Sequence, residues 1–119
     1  VFGGVPDDSN PIGRCNPFAE RVTAAGHEIA MTVYPKAPHN FDNPRISRVP
    51  EAGKLSQTVR NCVVREEPKG VLINAMTGKP FTYADACVEL GPHTGYDPEA
   101  TAAARAEVTE LLRTVFRLE

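Results

Sequence analysis

The stretch Tyr34-Pro-Lys-Ala-Pro-His-Asn-Phe-Asp42 decides how the chain is organised. It closes a short apolar segment, His27-Glu-Ile-Ala-Met-Thr-Val-Tyr34, and sets one imidazole, His39, on the turn beyond it. In that segment Ile29, Met31 and Val33 point one way, and Ala30, Thr32 and Tyr34 the other. Both faces are largely apolar, which predicts an interior strand of a parallel sheet covered on both sides. Upstream lies a second turn, Gly3-Gly-Val-Pro-Asp-Asp-Ser-Asn-Pro11, rich in acid. The chain opens on Val1-Phe-Gly-Gly4, which begins without Met and reads as the last residues of another buried strand leading into that turn.

Between the two turns the sequence predicts a helix. Asn10-Pro11 and Asn16-Pro17 are both helix-start signals, with Asn as cap and Pro in the first turn. Either one helix runs from 11 to 25 with a kink at Pro17, or a short turn precedes a helix from 17. Phe18, Val22 and Ala25 share a face, and Gly26 is a natural stop. Residues 1–34 therefore read as strand–helix–strand, one edge of an α/β fold.

The rest of the chain is less regular. Residues 43–58 hold Pro, Arg, Ser and Gly without period, a surface loop. Val59–Arg65 and Val71–Ala75, separated by Glu-Glu-Pro-Lys-Gly, predict a hairpin. Thr77-Gly-Lys-Pro80 is a further turn, and Ala84–Glu89 reads equally as a loop or as a helical turn. Asp97-Pro98-Glu99 opens a final helix with its cap, its first-turn proline and an acid at the positive dipole end. Ala104, Val108, Leu111, Leu112 and Val115 form an apolar stripe along it, which predicts packing on the flank of the sheet. Three segments result: 1–44, the sheet edge with its two turns; 45–92, an insertion with a hairpin; and 93–119, the final helix.

With 119 residues there is room for one small domain. Apolar residues make up 41% and charged residues 24%, ordinary for a globular chain. A formal net charge of −2 leaves no basic footprint for nucleic acid. No apolar run approaches the roughly 18 residues a membrane span needs, and no signal peptide is visible. Cys15, Cys62 and Cys87 form no C-x-x-C pair, which argues against a structural zinc site. One bridge, Cys62 to Cys87, is open to the chain in an oxidising compartment. Three small buried or half-buried thiols is the other reading.

Asp7 follows the first strand and His39 the second. An imidazole that takes and returns a proton, with a carboxylate fixing its tautomer, is two thirds of a hydrolytic triad. The order acid then histidine, each on a loop after a strand, is that of α/β-hydrolases. Each residue has a bland rival. His39 could be a turn histidine bonded to nearby backbone, and Asp7 could cap the helix that begins near Pro11. Asp42 reads as tying down its own loop, His27 and His93 as surface residues without motif partners, and Tyr34 as packing with its hydroxyl satisfied locally.

These residues resemble the C-terminal portion of the dienelactone hydrolase family of α/β-hydrolases. The resemblance rests on Gly4-Val-Pro-Asp7-Asp-Ser-Asn-Pro11, on a strand ending Tyr34-Pro-Lys-Ala37, and on Pro38-His39-Asn-Phe41-Asp42. It runs through residues 1–44 and returns in the helix at 97–118. It implies the C-terminal fragment of a parallel α/β-hydrolase sheet with flanking helices and a hairpin-containing insertion. Asp7 is favoured over Asp8 as the acid because it stands four residues before Pro11, as the family's acid does. The implied reaction is hydrolysis of a small ester or lactone through an acyl-enzyme, with no metal or organic cofactor.

The family's Gly-x-Cys/Ser-x-Gly elbow precedes the acid and has no match here. Ser9, Ser47 and Ser56 lack the flanking glycines, and Cys15 comes after the acid, in the wrong order. The 119 residues alone are therefore expected to be inert, with the missing N-terminal part of the same protein, or a second copy, as partner. The insertion resembles the tail of a bacterial subgroup with many exported members, which favours export and with it the Cys62–Cys87 bridge. The rival is a non-enzymatic binding or assembly module derived from a hydrolase fragment.

Overall fold

A computed structural model describes residues 1–118. Phe2–Gly4 (β1) and Thr32–Tyr34 (β2) pair in parallel, with Phe2 opposite Thr32 and Gly4 opposite Tyr34. A single 3₁₀ turn, Ile12–Cys15, and a helix, Asn16–Ala24 (α1), connect them. Of the two expected arrangements the chain adopts the turn followed by a helix, with Pro17 in the helix's first turn, where its missing N–H costs nothing. Gly26 at φ 82° ends α1, donating its N–H to the Thr23 carbonyl.

The second strand is shorter than the alternation over 27–34 predicts. Residues 27–31 are irregular. β1 is only three residues long; next to it the Thr32 N–H donates to the Val1 carbonyl at 2.9 Å and the Val1 nitrogen donates to the Ala30 carbonyl at 2.7 Å. Among the described residues β1 and β2 each have one neighbour. Tyr34 is buried while Val33 is 45% exposed, so among the described residues the strand is covered on one face and not on both.

The core is small. Tyr34, Ala37 and Ala100 form it, with Phe41 and Ala104 packed at its margin. The rings of Tyr34 and Phe41 meet with centroids 5.4 Å apart, tilted by 58°. Ala37 is fully buried against Gly4. The final helix, Pro98–Phe116 (α2), docks here by its first half. Asp97 caps it, accepting from the N–H groups of Glu99 and Ala100 at 3.0 Å each. Glu107 accepts from the Tyr34 hydroxyl at 3.2 Å and from the Thr32 hydroxyl at 2.7 Å. The Tyr34 hydroxyl is thus satisfied from 73 residues away, not locally. Burial, then the Glu107 charge and hydrogen bond, push the Tyr34 phenol above its ordinary value.

The expected packing of α2's whole stripe on the sheet does not occur. Ala100 and Thr101 are buried, but Leu111, Val115 and Phe116 each stay more than 60% exposed. Length explains this. Nineteen helical residues span about 28 Å, whereas three-residue strands span about 10 Å.

Residues 51–94 form a long antiparallel ribbon. Glu51–Ala52 (β3) pairs with His93–Thr94 (β8), Gln57–Thr58 (β4) with Glu89–Leu90 (β7), and Val64–Glu67 (β5) with Val71–Asn74 (β6). The hairpin tip at Pro68–Gly70 holds Lys69 and Gly70 at φ 71° and 77°. Its strands begin later than the Val59–Arg65 run suggests, because residues 59–62 turn. No helix forms over Ala84–Glu89. Residues 82–88 are tight turns, with the Thr82 carbonyl accepting from Asp85 and the Asp85 carbonyl from Val88. A disulfide joins Cys62 to Cys87, and Cys15 is free. The ribbon returns at Thr94, two residues beyond the boundary expected at 92, and Glu119 lies outside the described residues. The molecule is flat, 52 × 40 × 22 Å, with a radius of gyration of 17.0 Å. A close-packed domain of this length would have about 13–14 Å.

Candidate active site

The two turns that follow β1 and β2 meet at one end of the parallel pair. Parallel strands carry the chain the same way, so the loops after both emerge side by side. The Val5 N–H donates to the Tyr34 carbonyl at 2.9 Å and extends the ladder one step past Gly4. Asp7 and His39 then face each other. His39 Nδ1 lies 3.0 Å from Asp7 Oδ2, with the side chains 28% and 13% exposed. A carboxylate can only accept, so Nδ1 carries the hydrogen and Nε2 keeps its lone pair.

The other Asp7 oxygen, Oδ1, accepts from the N–H groups of Ser9 at 2.9 Å and Asn10 at 2.7 Å. The turn-capping role thus coexists with the histidine contact, one oxygen for each. The 3₁₀ turn that begins at Ile12 takes no side-chain cap. On the histidine side, Asn40 adopts φ 60°, a left-handed conformation that Asn tolerates. The loop is tied down through Phe41, whose carbonyl accepts from Asp97 N–H and the Thr101 hydroxyl, both at 2.9 Å. Asp42, expected to anchor this loop, lines the cleft beside it instead.

That cleft is open and measures about 730 Å³. Asp7, His39, Ile12, Cys15, Phe41 and Val108 are among the residues on its walls. Its size falls in the range of small-molecule sites. An imidazole whose Nδ1 is held by a carboxylate can accept a proton at Nε2 and later return it. Ser9 is engaged through its backbone in the acid turn, and its carbonyl accepts from Thr58. His27 is exposed, as expected.

A second acid–histidine contact lies next to the first. Asp8, the residue after Asp7, takes His93 rather than His39. Asp8 Oδ1 accepts the His93 N–H at 2.8 Å, and Asp8 Oδ2 lies 2.9 Å from His93 Nδ1. The Arg60 guanidinium reaches Asp8 Oδ2 at 3.2 Å, the Asp8 carbonyl at 2.6 Å and Glu89 Oε2 at 2.7 Å. Burial works to raise the Asp8 carboxyl, but hydrogen bonds from His93 and Arg60 outweigh it and hold the group below its ordinary value. Glu89 first, then Asp8, raise the Arg60 guanidinium. His93 is exposed, as expected of a surface residue, but it has a partner that no motif marks. The tandem Asp7-Asp8 was the one available signal, since adjacent side chains in a turn diverge and the second must find its own partner.

Among the described residues no group of three or more His, Cys, Asp and Glu is placed to hold a metal ion. No helix is long and apolar enough to cross a membrane. Comparison with protein-family models, with curated proteins and with solved structures returns no match.

Proposed function

We propose that this chain supplies the acid and base of an α/β-hydrolase that cleaves a small ester or lactone, in the manner of the dienelactone hydrolase family. The observation that carries the reading is the 3.0 Å contact between His39 Nδ1 and Asp7 Oδ2, on two loops that follow parallel strands and open into one cleft. In this reading the nucleophile, a Ser or Cys, comes from a part of the protein outside these 119 residues. His39 Nε2 takes the nucleophile's proton as its oxygen or sulfur attacks the carbonyl carbon. The tetrahedral adduct collapses, the C–O bond to the leaving alcohol breaks, and the alkoxide takes the proton back from His39. Water, deprotonated by the same nitrogen, then releases the acid and restores the nucleophile. Asp7 holds the imidazole in the tautomer that leaves Nε2 free and stabilises the imidazolium.

The test is hydrolysis of p-nitrophenyl acetate by the full-length protein that carries this chain. His39→Ala is expected to lower kcat by at least about a hundredfold, as loss of a general base does. Equal rates would remove His39 from the mechanism. A second reading, a non-enzymatic assembly module, is favoured by the exposed stripe at Leu111, Leu112 and Val115 and by the outer edges of β1 and β2, which pair with no further strand among the described residues. Its signature would be self-association or complex formation that His39→Ala leaves intact, with no esterase activity in the full-length protein.

A further inference from the structure

We propose that the ribbon at 51–94 braces the Asp7–His39 pair, with Asp8 and Arg60 as the positioning residues. This deepens the hydrolase reading and rests on it only for the effect on rate.

The ribbon grips both loops that carry the pair. On the acid side its outgoing strand supplies Thr58, 3% exposed, whose hydroxyl donates to the Ser9 carbonyl at 2.9 Å. It also supplies Arg60, which donates to the Asp8 carbonyl at 2.6 Å and pairs with the Asp8 carboxylate. The returning strand adds the His93 N–H and ring to that carboxylate. On the histidine side Thr94 bridges to the His39 backbone, and the Gly95 N–H donates to the His39 carbonyl at 3.1 Å. One element therefore fixes the backbone of the acid turn and the backbone of the base at once.

The grip is itself cross-linked. Arg60, on the outgoing side, is held by Glu89 on the returning side at 2.7 Å. The Cys62–Cys87 disulfide lies two residues past Arg60 and two before Glu89, so it keeps those two strands together at the level where they clasp Asp8. Arg suits this place because a guanidinium can serve two carboxylates and a carbonyl simultaneously, which an ammonium on a flexible stem does less well. The acid turn is also anchored by the Val5 N–H to the Tyr34 carbonyl at 2.9 Å, by the Asp7 N–H to the Gly4 carbonyl at 3.3 Å, by the Arg14 N–H to the Pro11 carbonyl at 3.0 Å and by Asp7's own side-chain bonds, but none of these holds the Asp8 end.

The experiment uses the full-length protein and two readouts. The first is the Nδ1–H proton resonance of His39 by NMR, a direct signature of its bond to Asp7. The second is kcat and KM for p-nitrophenyl acetate across pH. Arg60→Ala and Asp8→Asn are expected to broaden or remove the His39 resonance. They should lower kcat roughly ten- to a hundredfold, the scale of an ångström of misplacement, with KM changed less than about twofold. Arg60→Lys should restore part of the resonance. Should Arg60→Ala fail to fold, Asp8→Asn carries the same test, because it changes neither size nor shape. An unchanged His39 resonance in a folded Asp8→Asn protein would overturn the brace, whatever happens to thermal stability. If His39→Ala leaves hydrolysis unaffected, the hydrolase reading falls, and the brace is decided by the resonance alone.

Discussion

Asp7 and Asp8 are consecutive in the chain, yet their carboxylates hold different histidines, His39 and His93, drawn from segments 54 residues apart. The first pair lines the cleft with the smaller exposure, and the second sits outside it in a cluster of charges. Under the proposed mechanism the two aspartates are not interchangeable. Asp7→Asn in the full-length protein is expected to lower kcat by about a thousandfold or more, because the amide can impose the wrong tautomer on His39. Asp8→Asn should cost far less. Steady-state kinetics on p-nitrophenyl acetate check the order, and a larger loss from Asp8→Asn would reverse the assignment.

The ribbon's hold on the acid turn is expected to loosen in acid. The Asp8 carboxyl lies below its ordinary value in the folded chain. In the pH range between the folded and unfolded values, the unfolded state therefore binds more protons, and stability rises with pH there. The stabilisation is fully present above the ordinary carboxylate range and is lost as pH falls through the lowered folded value. Native-state hydrogen exchange at the His93 amide, which donates to Asp8 at 2.8 Å, reports it. The protection factor should fall on acidification below the carboxylate range and stay level above it, and Asp8→Asn should abolish the difference.

Loss of the disulfide should destabilise the ribbon. The bridge closes a loop with a sequence separation of 25 residues. The chain-entropy relation for such a loop gives about 3.5 kcal/mol. Denaturant unfolding of the Cys62→Ala/Cys87→Ala double variant against the oxidised protein measures it, and equal midpoints would contradict the estimate.

Gly4 faces a different constraint, one of space. A β-carbon there would run into the Ala37 carbonyl, which is backbone and cannot turn aside. Gly4→Ala is expected to destabilise by about 1–3 kcal/mol or more, as overpacking does. It should also disturb the His39 chemical shift, since Ala37 stands two residues before that histidine. By contrast a β-carbon on Gly13 meets nothing, so Gly13→Ala serves as the control.

What could be read from the sequence was local. The Tyr34–Asp42 stretch, the capped start of α2 and the Gly26 stop are patterns a few residues long, and they fix backbone conformation nearby. The pairing of Asp8 with His93 spans 85 residues and carries no periodic signal. The ribbon was half legible. Its hairpin shows a turn between two β-rich runs, but β3, β4, β7 and β8 are two residues each, too short for alternation to register. The stripe on α2 is a sound indicator of an amphipathic helix, but it does not say how much sheet is available to cover it. The length of the strand at 32–34 depends on what lies beside it, which no single strand encodes.

The ribbon leaves the body and re-enters it at nearly the same point, since a β-carbon on Gly95 would sit 3.2 Å from Pro50 Cα. Its far tip, at Lys69 and Gly70, lies beyond the disulfide and already tolerates left-handed backbone. Such a stalk is a natural grafting point. An affinity handle or a fluorophore inserted there would be carried on the cystine-fastened base, and residues 68–70 are not among those that line the cleft.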